Sequence, residues 1–368
     1  MPHLFVDISA HGFGHLAQVA PVLNALATRL PDLRLTLRSG LSSDQLHSRI
    51  TTNFIHLHAS SDFGYRMLDA VQIDRAASAS AYRVQHTDWT SLVATEAALL
   101  KAMHPDLVLT DVAYLPLAGA AVAGIPALAM SSLNWADLFA HYFAAEPWAV
   151  PIHRQMLAAY NSAECFLRLS PGMPMRDLLR IQPIGPVAEL GHDCRGALRK
   201  QLGCSAGERL VLIAFGGFSK RLPIESWPGM DGTRWLVPDA WQVVPQASRK
   251  VNAFEPLGWE FTDLLRAVDA VITKPGYGTF AEAACNGTPV LYVRRDDWPE
   301  QDCLIDWLKL NARCCQISAA DLLTGCLVAP LGALWQQPAP PAPSPTGAAE
   351  AAEHLFSRLT ALAGNQSV

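Results

Sequence analysis

Short apolar runs alternate with helical patterns along most of this chain, and that rhythm leaves few folds open. The runs "LFVDISA", "LRLTLRS", "LVLTD" and "PALAMSS" are separated by helix-length segments, the first of them spanning residues 16–29. Such spacing predicts βαβ units on a parallel sheet. At "IQPIGPV", residues 181–187, two prolines and a glycine interrupt the pattern. A second series follows: a helix ending at Leu202, the strand "RLVLIAFGG", then "WQVVP" (241–245), "AVDAVITKPGYG", a helix beginning near Thr279, "PVLYVRR" and a helix near Asp302. It too reads as a doubly wound α/β domain. The expected organisation is a domain at 1–182 and a second at 188–335. The proline tract "QQPAPPAPSPTG" at 336–347 follows as an extended linker. The last segment, 348–368, is an amphipathic helix with Ala351, Leu355, Leu359 and Leu362 on one face. Such a helix needs a surface to lie against.

The 368 residues exceed what one hydrophobic core usually serves, and half of them are hydrophobic. A formal charge of -5 without any long basic run argues against nucleic acid or an anionic membrane as the main partner. A small-molecule role fits better. The eight cysteines are scattered and include no C-x-x-C pair, so they read as reduced packing residues. The start, "HLFVDISA", lacks the basic region and cleavage pattern of a secretory signal. The most apolar stretch, Ala113 to Leu133, is broken by Pro116, Gly119, Gly124 and Pro126, and reads as a buried helix followed by a buried strand. A cytoplasmic protein without a transmembrane segment is expected; the oligomeric state stays open.

Gly12-Phe13-Gly14-His15-Leu16-Ala17 follows a strand and opens a helix, which formally satisfies the dinucleotide pattern G-x-G-x-x-G/A. A nicotinamide enzyme would want an acid at the end of the second strand, where this chain has Arg38 and Ser39; Arg38 would suit a 2′-phosphate. The simpler reading is a sharp strand-to-helix turn whose glycines tolerate positive φ and close backbone approach. It places Gly14 and His15 at the carboxyl edge of the sheet, where open α/β folds bind ligands. A neutral imidazole there can accept a proton. Its other nitrogen needs a carboxylate, and Asp111 closes the strand "PDLVLTD" at the same edge. Asp106 sits at the opposite end of that strand as a turn residue, and His11 reads as a supporting or structural group.

The segment 271–301 carries the second motif. A strand ends at Thr273, the loop Pro275-Gly276-Tyr277-Gly278-Thr279 follows, and a helix opens with Phe280, Ala281 and Glu282. Backbone N–H groups and a helix N-terminus make a seat for pyrophosphate, with Glu282 in the first turn within reach of a ribose.

Taken together, the "GFGH" loop, "DLVLTD", the "FGG" turn, "GYGTFAEAACNGTPVLYVRR" and "PEQ" resemble the GT-B glycosyltransferases, the superfamily of the MurG enzyme and the UDP-glycosyltransferases. The chain is also similar to the glycosyltransferase-like domain attached to sugar kinases of the arabinokinase type. The resemblance covers nearly the whole chain. It implies two Rossmann-like domains facing a central cleft, with the final helix crossing back to the N-terminal domain. By that resemblance His15 is the general base of an inverting transfer and Asp111 its partner. Gly216 and Gly217 approach the donor phosphates, as do Gly276, Tyr277, Gly278 and Thr279. Glu282 holds the ribose, and Glu300 with Gln301 holds the donor sugar. Lys274 stands where these enzymes carry a histidine, so a cation replaces an imidazole near the diphosphate. The uracil-binding signature is not matched clearly in "VNAFEPLGWEF", where Phe254 is the candidate base contact.

The expected reaction is transfer of a sugar from a nucleotide diphosphate sugar, a UDP-sugar by family resemblance, to an acceptor hydroxyl. The donor is a substrate, and neither a metal nor a further cofactor is required. Asp296-Asp297 resembles the metal-binding acids of the other glycosyltransferase fold, which lacks this phosphate loop. Acceptor choice would lie in N-terminal loops, where Tyr65, Arg66, Trp89, Trp135, His141, Tyr142 and Trp148 are candidates, although most of them read first as core or surface packing. Two alternatives share the fold: a nucleotide-sugar hydrolase, and a sugar-nucleotide-binding protein without catalysis.

Overall fold

The computed structural model of the protein describes residues 1–68, 72–216, 221–243 and 250–365. These divide into two compact units. The first holds Met1–Leu68, Ile73–Val187 and the segment from Thr346 on, and the second is built chiefly from Ala188–Pro345.

Among the described residues of the first unit, seven parallel strands form one sheet: β1 (His3–Ile8), β2 (Arg34–Ser39), β3 (Ile55–His58), β4 (Leu107–Asp111), β5 (Ala127–Ser131), β6 (Cys165–Arg168) and β7 (Ile181–Pro183). Their spatial order is β3-β2-β1-β4-β5-β6-β7. β1, β4 and β5 are buried at every position because helices cover both faces, which is why they read as continuous apolar runs rather than alternating ones. The order reverses between β1 and β4, since the chain winds one way from β1 and the other way from β4. Connections that diverge like this leave a crevice at the carboxyl ends of the two strands. The register sets Asp7 beside Arg38 and Ile8 beside Asp111.

In the second unit the strands are β8 (Arg209–Ile213), β9 (Thr233–Val237), β10 (Val251–Ala253), β11 (Ala270–Thr273), β12 (Val290–Val293) and β13 (Cys314–Ile317). Their order, β10-β9-β8-β11-β12-β13, repeats the first winding, with the reversal between β8 and β11. "WQVVP" is not a strand over its described residues. Pro238 ends β9, and Asp239–Trp241 makes a tight 3-10 turn that drives Trp241 into the core; Val244 and Pro245 lie outside the described residues. The sheet is completed instead by "TRWLV" and "VNA", whose polar positions hide them in the sequence.

Residues 338–346 have neither helix nor strand, and the helix Gly347–Asn365 follows. That helix lies on the first unit, against the helix Phe13–Arg29. It buries Ala351, Ala352, Leu355 and Leu359. Arg29 meets Glu353 at 2.5 Å and stacks 4.5 Å over Phe356, and Arg358 bonds Glu164 at 2.7 Å. Its start must be glycine, since a Cβ on Gly347 would stand 2.1 Å from the Gly185 carbonyl oxygen. No helix among the described residues is long and apolar enough to cross a membrane.

Candidate functional site

The first candidate site sits at the β1/β4 reversal. The helix after β1 begins at Phe13, three residues earlier than the sequence suggests, so Gly14 and His15 both lie in its first turn. Gly12 caps it with φ 175°, an extended geometry open to any residue, and Gly14 is helical. Positive φ is therefore not the reason for this glycine pair. A Cβ on either would meet nothing within 4 Å, so the bare backbone of the turn faces open space that a ligand could enter. The helix has no side-chain cap and no acid in its first turn, which leaves its first N–H groups without the usual side-chain acceptors.

His15 is 7% exposed, and its Nδ1 lies 3.2 Å from Oδ1 and 3.0 Å from Oδ2 of the fully buried Asp111. A carboxylate only accepts, so Nδ1–H donates to Asp111 and the ring's lone pair falls on Nε2. Burial pushes the Asp111 carboxyl above its usual range, and the facing imidazole works against that shift. A proton gained by His15 is thus stabilised by the charge it helps maintain.

Around this pair the structure gathers Trp135 and His11, which the sequence singled out in other roles, and Asp62, which carries no local sequence signal. Trp135 is fully buried, packs edge-on against His15 and His11, and donates its indole N–H to Asp62 at 2.7 Å. Asp62 also accepts from Ser9 Oγ at 3.1 Å. Burial and the nearby Asp7 push its carboxyl up to about 6, with Trp135 and His15 opposing. His11 is wedged against Gly64, where a Cβ would come 2.7 Å from the imidazole. Asp106, at the far end of β4, accepts from the His3 amide at 2.8 Å. Arg38, which could have served a 2′-phosphate, is buried and bonded to Asp7 and, through both terminal nitrogens, to Glu96 at 2.9 and 2.6 Å. Burial works against its charge, but the two carboxylates more than offset this.

The second candidate site sits at the β8/β11 reversal of the other unit. Its helix begins at Tyr277, not Phe280, because the extended Gly276 already caps it. Glu282, expected in the first turn, is therefore in the second, where it is 2% exposed. Gly276 has no side-chain cap bond, and Tyr277, Gly278 and Thr279 form the first turn. Their N–H groups are the ones a helix start presents to an anion. Gly216, after β8, does adopt the left-handed conformation at φ 68°; Gly217 lies outside the described residues.

Lys274 joins β11 to this turn. Burial, together with the charge of Arg295, lowers its pKa to about 8, and Glu300 partly offsets the shift. Arg295 lies 4.0 Å over the Trp298 ring, and Trp298 donates to Glu300 at 3.0 Å. Gln301 uses its amide on the backbone of Arg295, accepting from the N–H at 2.9 Å and donating to the carbonyl at 3.0 Å. Its side chain thus clamps the loop after β12, a task the sequence did not suggest, while Glu300 stands beside Lys274 and Arg295. Asp296 accepts from Gln72 at 2.7 Å. Among the described residues no group of three His, Cys, Asp or Glu side chains gathers as a metal site. Phe254 is half-buried just after β10.

The depressed lysine gives a stability prediction. A Lys whose folded pKa lies below its unfolded value near 10.5 carries its full penalty below about pH 8, and the penalty fades as pH rises toward 10.5. Lys274→Met is therefore expected to stabilise the protein at pH 7 by about 1–3 kcal/mol, with the gain shrinking by pH 10. Urea unfolding at both pH values measures it. A variant less stable than the parent at pH 7 would show that the lysine charge is already compensated.

No family model matches the chain. It is 26% identical over 330 residues to an L-arabinokinase of Arabidopsis thaliana; the match covers 86% of this chain but only 30% of that protein. Among solved structures, the glycosyltransferase of kitacinnamycin superposes with a TM-score of 0.62 at 17% identity, covering 98% of this chain and 96% of that one. Phytolacca americana UGT2, complexed with UDP-2-fluoro-glucose and pterostilbene, gives 0.56 at 15% identity, covering 98% and 94%. The chain has the GT-B fold.

Proposed function

We propose that the protein is a glycosyltransferase that moves a sugar from a nucleotide diphosphate sugar, a UDP-sugar in the first instance, to an acceptor hydroxyl with inversion. The observation that carries this reading is the buried His15–Asp111 pair at the β1/β4 reversal, with Nδ1 committed to the carboxylate. His15 Nε2 takes the proton of the acceptor hydroxyl as that oxygen bonds to the anomeric carbon. The bond from that carbon to the β-phosphate oxygen breaks, and the electron pair leaves with the diphosphate. Asp111 keeps the ring oriented and stabilises the imidazolium.

The other unit would hold the donor. Lys274 and the N–H groups of Tyr277, Gly278 and Thr279 suit the departing diphosphate, whose charge grows as the bond breaks. Gly216 and Gly217 would let backbone approach the phosphates, Glu282 would take the ribose hydroxyls, and Glu300 the sugar hydroxyls. Gln301 acts here by holding the Arg295 loop in place. The UDP-sugar named with Phytolacca americana UGT2 supports trying that donor class first.

Thermal-shift screening against UDP, dTDP, GDP and ADP sugars tests the donor assignment. Ligand at a hundred times its Kd adds about 2.7 kcal/mol to stability, which is readily seen as a rise in Tm. A rise with UDP-sugars that disappears in Glu282→Ala is the expected result. No rise with any nucleotide sugar, in protein shown to be folded, would overturn it.

A further inference from the structure

The carboxylate that faces His15 leads into an unusual stretch of backbone. The Ala113 N–H donates to the Asp111 carbonyl at 2.9 Å, which closes a three-residue γ-turn about Val112. Val112 stands at φ 64°, in the left-handed region that a β-branched side chain avoids, and it is fully buried. A γ-turn of this hand is the rare, strained form, and such geometry persists only where the surroundings over-determine it. The turn begins on the Asp111 carbonyl, so the backbone that aims the Asp111 side chain is fixed only as firmly as the turn is.

Two hydroxyls hold it. Thr110, on β4, donates to the Ala113 carbonyl at 2.7 Å. Tyr160 reaches the Val112 carbonyl from the helix Ala149–Ser162, 48 residues further along the chain, and donates to it. The same phenol oxygen accepts the Trp135 N–H at 3.0 Å. A phenol has one proton to give, so these two bonds fix which way it points. Burial pushes the Tyr160 pKa well above its usual value, which keeps that proton on the oxygen. Val112 and Trp135 are both fully buried, so water has little access to their backbone groups in its place.

One hydroxyl therefore ties together the two residues that flank the imidazole: Val112, next to Asp111, and Trp135, whose ring packs 5.9 Å from the His15 ring. We propose that Tyr160 is a positioning residue for the proton transfer: with Thr110 it clamps the γ-turn at Val112, and through that turn it keeps Asp111 on His15 Nδ1 and the ring's lone pair on Nε2. The consequence for turnover rests on the transferase reading, whereas the tautomer of His15 is measurable without any substrate.

The test is heteronuclear NMR of the full chain carrying labelled histidine, at a pH where the His15 ring is neutral, with its signals assigned by their loss in His15→Ala. The parent should hold His15 as the Nδ1–H form. Tyr160→Phe keeps the ring and removes the hydroxyl, and should raise the Nε2–H form about tenfold or more. UDP-sugar turnover should fall about tenfold with donor KM unchanged. Tyr114→Phe is the contrast for folding: it removes an equally buried hydroxyl that bonds His86 at 2.8 Å, and should lower Tm without moving the tautomer. Thr110→Val keeps the side-chain shape and should raise the Nε2–H form by a smaller factor. A mixed tautomer in the parent, an unchanged tautomer in Tyr160→Phe, an equal change in Tyr114→Phe, or unchanged turnover beside a shifted tautomer would overturn the proposal. Should Tyr160→Phe not fold, an unchanged tautomer in Thr110→Val overturns it. A shifted tautomer in protein that turns over no nucleotide sugar would leave the clamp standing and remove the transferase reading; transfer with an unchanged tautomer would do the reverse.

Discussion

Replacing His15 by alanine is expected to lower turnover about 10²–10⁴-fold while leaving donor affinity within a factor of two or so, because proton removal is worth that much and the proposed donor contacts lie elsewhere in the chain. Asp111→Asn should cost a comparable factor. An asparagine keeps the volume of the site, but it presents an amide N–H or a weaker acceptor to Nδ1, so the ring loses both its fixed tautomer and the charge that steadies the imidazolium. The two losses should not add, since both act on one proton transfer. Measured rates for the two single variants and the double variant, alongside donor Kd, decide this. A His15→Ala variant with more than a third of normal turnover would remove His15 from the proposed chemistry.

The second large effect is on stability. Arg38→Met is expected to cost about 3–5 kcal/mol, because it leaves Asp7 at 1% exposure and Glu96 at 6% without the charge that faces both. Asp7 also takes the Ser61 hydroxyl at 2.6 Å, so the loop carrying Asp62 should loosen with it. Packing around this group is close: a Cβ on Gly119 would come 2.4 Å from Glu96 Cγ. Urea unfolding of the variant gives the number. A loss under about 1 kcal/mol would mean that water or a shifted side chain takes over the two acids.

Much of the candidate site's geometry was legible because its parts lie at strand ends. His15 and Asp111 each follow an apolar run, and two parallel strands that are neighbours bring such ends to one edge. Lys274 and Gly276 were legible for the same reason at the end of β11. Asp62 was not, since it lies in a loop whose position depends on three distant partners: Ser9, Trp135 and the strand that carries Asp7. Arg38 read as an available cation because nothing near it in sequence reveals Glu96, 58 residues away. The sequence sets two helix starts too late, at Leu16 and near Thr279–Phe280 instead of Phe13 and Tyr277, because glycines read as loop, whereas an extended glycine cap lets the next residue begin the helix. β9 and β10 were missed because each mixes polar with apolar residues and is short.

The central claim is acceptor-dependent cleavage of a nucleotide sugar by the His15 pair. The most direct measurement is release of UDP from UDP-glucose by purified protein, with and without a panel of hydroxyl-bearing acceptors, read beside His15→Ala. The account predicts UDP release that requires an acceptor, yields a glycoside of inverted anomeric configuration and falls at least a hundredfold in the variant. UDP release equal in rate without any acceptor, with free glucose as the product, would contradict transfer and leave a hydrolase.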